Sequence, residues 1–325
     1  MSQKTERSLF KIQPEDMSVK DIMKKQSYAP VGAHSAVKTC TWLKNAINDR
    51  GVCYKSKFYG VSSHRCLQMT PTLSCNQKCI FCWRPTEIKV PDLDLEKMDK
   101  PELIVYESIK AQRKLLTGFG GSPNAVSELY NESKTPSNVA ISLSGEPTLY
   151  PYLPELIDLY KKENMSVFLV TNGTNPEMIQ KVKPTQLYMS LDAPDFETYL
   201  NLCRPENENQ WSLILESLKK LNHKRKEGVR TALRITAVKD LNTSDPKGFS
   251  ELIKIAEPDF IEIKSYMHVG FSRLRLNRSN MMEMDELKEF ASKIAKHLDY
   301  KFAGESEPSR VVLLTKDGTV NRINV

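Results

Sequence analysis

A chain of 325 residues with 40% apolar content can bury a sizeable core, and its net charge of +7 suits a polyanionic partner without requiring one. No run of eighteen apolar residues occurs, and residues 1–25 mix charged and polar side chains with no apolar signal core. The expectation is an ordinary soluble protein of the cytoplasm with no membrane contact.

In chain order, residues 1–35 are polar, carry Pro14 and Pro30 and offer one helical pattern at 18–26, so they are expected to form an arm. Segment 35–66 holds Cys40, Cys53 and Cys66, with twelve residues between each pair. Val37, Cys40, Leu43, Ala46 and Ile47 fall on one helical face, which predicts a helix over 36–49. Thiols this far apart have no local reason to converge, and on the residues alone a metal site and simple burial are equally good readings.

A β-prone run at 67–73 leads into Cys75-Asn76-Gln77-Lys78-Cys79-Ile80-Phe81-Cys82, a Cys-x3-Cys-x2-Cys spacing. Each iron of a 4Fe-4S cubane takes one outside ligand, so three cysteines leave one iron open to a further molecule. A structural zinc ion wants four protein ligands, and no Cys or His occurs within fifteen residues after Cys82. A cluster is the favoured reading, with a zinc loop or buried thiols as alternatives. Six of the seven cysteines lie between positions 40 and 82, which without a signal peptide points to metal or redox chemistry.

The remainder alternates. β-prone runs at 67–73, 139–143, 166–170, 186–191, 231–238 and 260–265 are mostly followed by helical patterns, at 101–116, 153–163, 211–226, 246–256 and 284–297. That order predicts parallel strands joined by right-handed crossovers, six units of an eight-unit barrel. Residues 118–137 read as a long loop, and Asp317-Gly318 predicts a hairpin between 310–314 and 320–323. In such barrels chemistry sits at the carboxyl ends of the strands. Those ends carry Cys75, Cys79 and Cys82, then Ser144-Gly145-Glu146-Pro147, then Thr171-Asn172-Gly173-Thr174, then Ser190-Leu191-Asp192. Each of the last three is an ordinary turn sequence alone; together they occupy matching places in successive units.

The Cys-x3-Cys-x-aromatic-Cys loop, the Gly-Glu-Pro and the polar later strand ends resemble the radical S-adenosylmethionine (SAM) superfamily over roughly 67–270. Four stretches are more specifically similar to its 4-demethylwyosine synthase family, short form without a flavodoxin domain. They are the upstream triad, Cys53-Tyr54-Lys55-Ser56-Lys57-Phe58-Tyr59-Gly60, the loop through Cys82-Trp83-Arg84-Pro85, and Ser142 to Tyr150 around Gly145-Glu146.

The resemblance implies a partial (βα)6 TIM-like barrel of α/β class with an N-terminal cluster-binding extension and a C-terminal β-hairpin, divided as 1–66, 67–270 and 271–325. It implies two 4Fe-4S clusters, on Cys75, Cys79, Cys82 and on Cys40, Cys53, Cys66, with SAM near Gly145, Glu146, Asn172, Ser190 and Asp192. In that family a 5′-deoxyadenosyl radical takes hydrogen from substrate, and pyruvate is condensed with N1-methylguanosine of phenylalanine tRNA to close a third ring. Lys55 would stand beside pyruvate, with charge pairing preferred over imine formation, and electrons would come from a separate protein. A lysine in Lys55-Ser56-Lys57 is by itself an ordinary surface charge.

Arg273, Arg275 and Arg278 with Phe271 follow the sixth strand and fit phosphate contact plus stacking on a splayed base, against a plain surface loop. Trp83 and Tyr59 could stack on that base. The run 223–226 is better explained as cations at a helix C-terminus, and Cys203 as an ordinary thiol. Another two-cluster radical SAM enzyme and a zinc-bearing RNA-binding protein remain as alternatives.

Overall fold

Six strands from the middle of the chain pair in parallel, each with its sequence neighbours: β3 (Cys66–Thr70), β4 (Asn138–Ile141), β5 (Ser166–Thr171), β6 (Gln186–Ser190), β7 (Arg230–Ala237) and β8 (Phe260–Ser265). The computed structural model describes residues 18–88, 90 and 94–323. Antiparallel pairs close both edges of the sheet, β1 (Ala29–Val31) and β2 (Ser35–Val37) beside β3, and β9 (Lys301–Ser306) and β10 (Val311–Thr315) beside β8. The order is β1-β2-β3-β4-β5-β6-β7-β8-β10-β9. This is the expected α/β class with an open, barrel-like sheet flanked by helices.

Alternation along each strand separates two cores, because successive side chains point to opposite faces. Leu169, Leu187, Met189, Leu233, Ile235, Ile261 and Ile263 pack outward against helices such as Leu153–Lys162 and Pro246–Ala256. The latter helix starts cleanly because Asp245 accepts from the Gly248 amide at 2.8 Å and Pro246 presets the first turn. Phe168, Tyr188, Ala232 and Phe260 point inward and pack with Phe58 and Tyr59 from the N-terminal segment. The register places Gln186 beside Arg230, Ser190 beside Arg234, and Arg234 beside Glu262. The inner face of β7 and β8 therefore bears Arg230, Arg234, Glu262 and Lys264 among its apolar rings.

Several expectations are corrected. Residues 36 and 37 are strand, since Ala36 pairs with Thr70 and Val37 with Met69; the helix is Thr41–Ile47, because Cys40 caps it in extended backbone (φ −76°, ψ 159°). The short helix expected at 18–26 does form, as Val19–Lys25, and leads into β1; residues 1–17 lie outside the described ones. The loop 118–137 contains the helix Ser127–Ser133.

The C-terminal hairpin is β9–β10, turning at Glu307–Ser309 with Arg310 at φ 45°. The Asp317-Gly318 turn forms, with Asp317 accepting from the Thr319 amide at 2.9 Å. The chain after it runs to the N-terminal segment instead of back along β10, where the Ile323 amide donates to Tyr59 O at 2.9 Å. Two short helices, Pro176–Lys181 and Phe196–Cys203, complete the β5 and β6 units; their sequence signals are the caps Asn175 and Asp195. Among the described residues no helix is long and apolar enough to cross a membrane.

Candidate active site in the barrel

A cavity of about 360 Å3 opens at the carboxyl ends of the parallel strands. Cys75, Cys79 and Cys82 line it together with Gly145, Glu146, Asn172, Ser190 and Asp192, so the sequence-derived candidates from four strand ends meet at one mouth.

The cysteine loop is held by its backbone. Lys78 and Ile80 amides donate to Cys203 O (3.1 Å) and Leu202 O (2.9 Å), so the end of helix Phe196–Cys203 acts as its edge. Arg275 grips the other side: its Nε donates to Ile80 O at 3.0 Å and its Nη2 to Cys82 O and Arg84 O, while Nη1 pairs with Glu87 at 2.6 Å. Arg84 donates to Gln77 O at 2.5 Å, and its cation opposes the burial that pushes the Cys75 and Cys82 thiols up. Cys203 is hydrogen-bonded with Cys79, a contact that raises Cys79, and burial raises it further. Nothing in the sequence around Cys203 signals this.

Glu146 is fully engaged. Its Oε1 accepts from the Thr148 amide (3.1 Å), Thr148 Oγ1 (2.7 Å) and Thr171 Oγ1 (2.7 Å), and its Oε2 from the Asn172 amide (2.7 Å). Burial raises its carboxyl, and these donors oppose the shift. Gly145 at φ +76° makes the turn possible, since a Cβ there would stand 2.1 Å from Thr72 O. Asn172 donates to Asn76 Oδ1 at 2.9 Å, and Asp192 accepts from the Thr236 amide at 2.7 Å, so both polar ends are tied into the mouth.

The upstream cysteines converge although their spacing gave no reason to expect it. Cys40 caps helix Thr41–Ile47, with Sγ accepting from the Leu43 amide at 3.2 Å, and Cys53 caps helix Tyr54–Tyr59, with Sγ accepting from Ser56 N (3.4 Å) and Ser63 Oγ (3.2 Å). Cys66 opens β3. Burial raises the Cys66 thiol, the charges of Cys40 and Cys53 add to the shift, and Lys55 opposes it, which places all four in one electrostatic neighbourhood. The upstream triad supplies three thiols, and at the downstream one Cys203 stands against Cys79 as a fourth. Among the described residues no three ligand side chains close on a single metal ion. A cubane asks for something else, one thiolate on each of three irons.

Lys55 is half-buried, with Nζ 5.0 Å from the Phe168 ring centroid and 4.8 Å from that of Tyr188. Desolvation lowers it and Glu262 opposes the shift. Glu262 is 0% exposed; its Oε1 accepts from Tyr59 OH at 2.6 Å, and its Oε2 has no partner among the described residues. Tyr59 thus sits inside the barrel, away from the surface where base stacking was expected. Arg234, Glu262 and Lys264 were missed in the sequence, although the alternation in Arg-Thr-Ala-Leu-Arg-Ile-Thr-Ala and Phe-Ile-Glu-Ile-Lys-Ser already turns them inward with the rings.

Arg273 and Arg278 are exposed on two short turns beyond β8, and the Phe271 amide donates to Trp83 O at 3.0 Å. Trp83 stacks on Tyr28 (6.1 Å, 15°), with Lys38 Nζ 4.9 Å from its ring. Of the basic run 223–226, Lys224 is buried and pairs with Glu227 at 2.8 Å in the last turn of its helix.

Comparison with known proteins agrees with this geometry. Residues 69–253 match the radical SAM superfamily and residues 255–316 the family described as wyosine base formation. The S-adenosyl-L-methionine-dependent tRNA 4-demethylwyosine synthase of Pyrococcus abyssi is 46% identical over 94% of this chain and 90% of its own. That of Methanocaldococcus jannaschii is 43% identical over 91% and 95%. A solved structure of TYW1 with a lysine-pyruvate adduct bound superposes with a TM-score of 0.84 at 40% identity, covering 94% of this chain and 97% of that one. The chain belongs to the radical SAM superfamily and, within it, to the tRNA 4-demethylwyosine synthases.

Proposed function

We propose that this enzyme condenses pyruvate with N1-methylguanosine beside the anticodon of phenylalanine tRNA, forming the tricyclic base, with Lys55 holding pyruvate covalently. The carrying observation is the placement of Lys55: a half-buried, partly desolvated amine over two rings, beside the upstream thiols and below the mouth that Cys75, Cys79 and Cys82 line. A relative 40% identical holds a lysine-pyruvate adduct. Burial disfavours the ammonium, so the amine is available to attack the keto carbon and lose water, and this covalent role replaces the charge pairing expected from the sequence.

The two triads fit two 4Fe-4S clusters, and SAM fits the mouth beside Gly145, Glu146, Asn172, Ser190 and Asp192. Held there, SAM and its cluster would supply the one-electron, hydrogen-abstracting chemistry that the N1-methyl group needs. The chain does the rest. Arg234 and Lys264 line the mouth cavity and suit carboxylates. Phe271, Arg273 and Arg278 face the tRNA, whereas Arg275 supports it indirectly by bracing the cysteine loop. Electrons come from a separate donor protein, and the reaction takes place in the cytoplasm.

The test is an anaerobic assay with reductant, SAM, labelled pyruvate and N1-methylguanosine-containing tRNA. Label in the RNA supports the reading; 5′-deoxyadenosine without label in RNA rejects the substrate. Borohydride reduction with labelled pyruvate should mark Lys55 and leave Lys55→Arg unmarked.

A further inference from the structure

Behind the wall of the mouth, the cysteine loop runs antiparallel to the end of helix Phe196–Cys203. That helix stops at Arg204, whose left-handed backbone (φ 46°) turns Pro205 toward the loop. Gln77 and Pro205 form an antiparallel bridge, the Ile80 amide donates to Leu202 O at 2.9 Å, and the Lys78 amide is shared between Cys203 O and Arg204 O, each at 3.1 Å. With Gln77 opposite Pro205 and Ile80 opposite Leu202, Cys79 stands opposite Cys203. Directly opposed side chains of an antiparallel pair have Cβ atoms about 4.5–5.5 Å apart, within reach of two thiols. The hydrogen bond between Cys79 and Cys203 is therefore set by backbone register.

The two sulfurs face different surroundings. Cys79 lines the mouth cavity with Cys75 and Cys82, and Cys203 does not. Cys203 is buried and borders a space of about 10 Å3 behind the loop, beside Gln77, Tyr199 and Trp211, with room for one water at most. A buried polar chain fixes this region: Gln77 Nε2 donates to Tyr199 OH at 2.8 Å, Tyr199 OH to Gln210 Oε1 at 3.2 Å, and Gln210 Nε2 to Asn76 O at 3.1 Å. Both ends of the chain return to the cysteine loop. Cys203 thus backs a cysteine of the mouth without reaching the mouth itself, which suits a donor to that cysteine and not a fourth ligand beside it.

As a thiol, Cys79 donates to Gln77 Oε1 at 3.4 Å. As an iron ligand it is a thiolate with no proton to give, and Cys203 opposite it carries one. A thiol is a weak donor, so its effect is electronic more than adhesive. Hydrogen bonds to the sulfurs help to set the potential of an iron-sulfur cluster, because a donor withdraws charge from the thiolate and favours the reduced state.

We propose that Cys203 is a positioning residue acting through Cys79: its thiol donates to Cys79 Sγ and raises the reduction potential of the cluster held by Cys75, Cys79 and Cys82. This rests on the cluster reading of that triad. It makes the cluster easier for the electron donor to fill, and leaves correspondingly less driving force for reduction of the sulfonium.

The experiment is an anaerobic redox titration of the cluster-loaded enzyme followed by electron paramagnetic resonance, with iron and sulfide counted on the same samples. The downstream cluster is the one whose signal responds to SAM, and the upstream cluster is the internal control. Cys203→Val fills the space without a donor and should lower the midpoint of the SAM-responsive signal, with iron content and the upstream midpoint unchanged. The expected shift is about tenfold in the reduced-to-oxidised ratio at a fixed poise, the weight of one hydrogen bond, or about 59 mV for one electron. Cys203→Ser keeps a donor and should recover most of it, whereas a merely space-filling role predicts no such recovery. Cys203→Ala gives a second donor-free variant should valine disturb the helix end. A wild-type midpoint at full iron in both Cys203→Val and Cys203→Ala overturns the proposal. Loss of about half the iron in both also overturns it, since Cys203 would then be an iron ligand. A wild-type enzyme without labile sulfide would instead reject the cluster reading.

Discussion

Tyr59 donates its phenol proton to Glu262 Oε1 at 2.6 Å, joining residues 203 positions apart and fastening the helix Tyr54–Tyr59 to β8 across the inside of the barrel. Glu262 Oε2 has no hydrogen-bond partner among the described residues, while Tyr54 and the Arg234, Lys55 and Lys264 cations act on the same carboxylate. Tyr59→Phe removes the donor to Oε1 of this buried carboxylate and is expected to destabilise the protein by about 1–3 kcal/mol. Urea unfolding of the anaerobic enzyme measures it, and a midpoint equal to wild type would contradict the assigned role.

Arg275 supplies donors to three backbone oxygens of the cysteine loop and an ion pair to Glu87. Lysine keeps the charge but not the fork. Arg275→Lys should therefore lose the cluster at Cys75–Cys82, lowering iron content to roughly half of a two-cubane value. Iron and sulfide analysis decides; full iron with weakened tRNA binding would return Arg275 to the RNA surface.

Arg273 and Arg278 are exposed, as phosphate contacts should be. Arg273→Gln and Arg278→Gln should each weaken tRNA binding and reduce the slope of log affinity against log salt by about one, with iron content unchanged. Filter binding across a salt series reads both quantities.

Lys264 gives a pH signature. Burial first, and then the Arg234 charge, push it down from 10.5 to about 8, with Glu262 opposing. Below pH 8 both folded and unfolded chains carry the charge, and the folded state bears the whole penalty of burying it. Between 8 and 10.5 the unfolded chain binds more protons, so stability rises with pH, and above 10.5 the contribution is level. Lys264→Met lacks this rise. The difference between wild-type and variant unfolding midpoints across that window is the measurement, and a constant difference would refute the assignment.

Gly145→Ala should damage the mouth through the backbone. A positive φ costs a non-glycine residue roughly 1–3 kcal/mol, and the added carbon meets the carbonyl oxygen of Thr72, not a side chain able to rotate away. A lowered melting temperature together with lost SAM binding is expected, and unchanged binding by equilibrium dialysis would remove Gly145 from the site.

The barrel and its mouth were legible because strand alternation and the Cys75–Cys82 spacing are local patterns, and the polar strand ends recur at matching places. What escaped were relationships across the chain. Thiols at 40, 53 and 66 meet because two of them cap short helices and the third opens a strand. Cys203 reaches Cys79 only through the helix that β6 leads into. Arg275 looked like the surface arginines on either side of it, since a sequence does not reveal which of three alternating cations folds back onto carbonyl oxygens. Asp317-Gly318 did turn the chain, but the partner strand lay before β10 and not after it.

The bond from the Ile323 amide to Tyr59 O has a consequence for maturation. The helix that carries Lys55 and begins at Cys53 is packed on one flank by Val320 and Ile323. Its seat is finished only when residue 323 has left the ribosome, long after Cys75–Cys82 has emerged. The two cysteine triads thus reach their final settings in reverse of their order along the chain: the downstream loop needs the chain only as far as Arg275, while the upstream triad waits for residues 320–323 to dock.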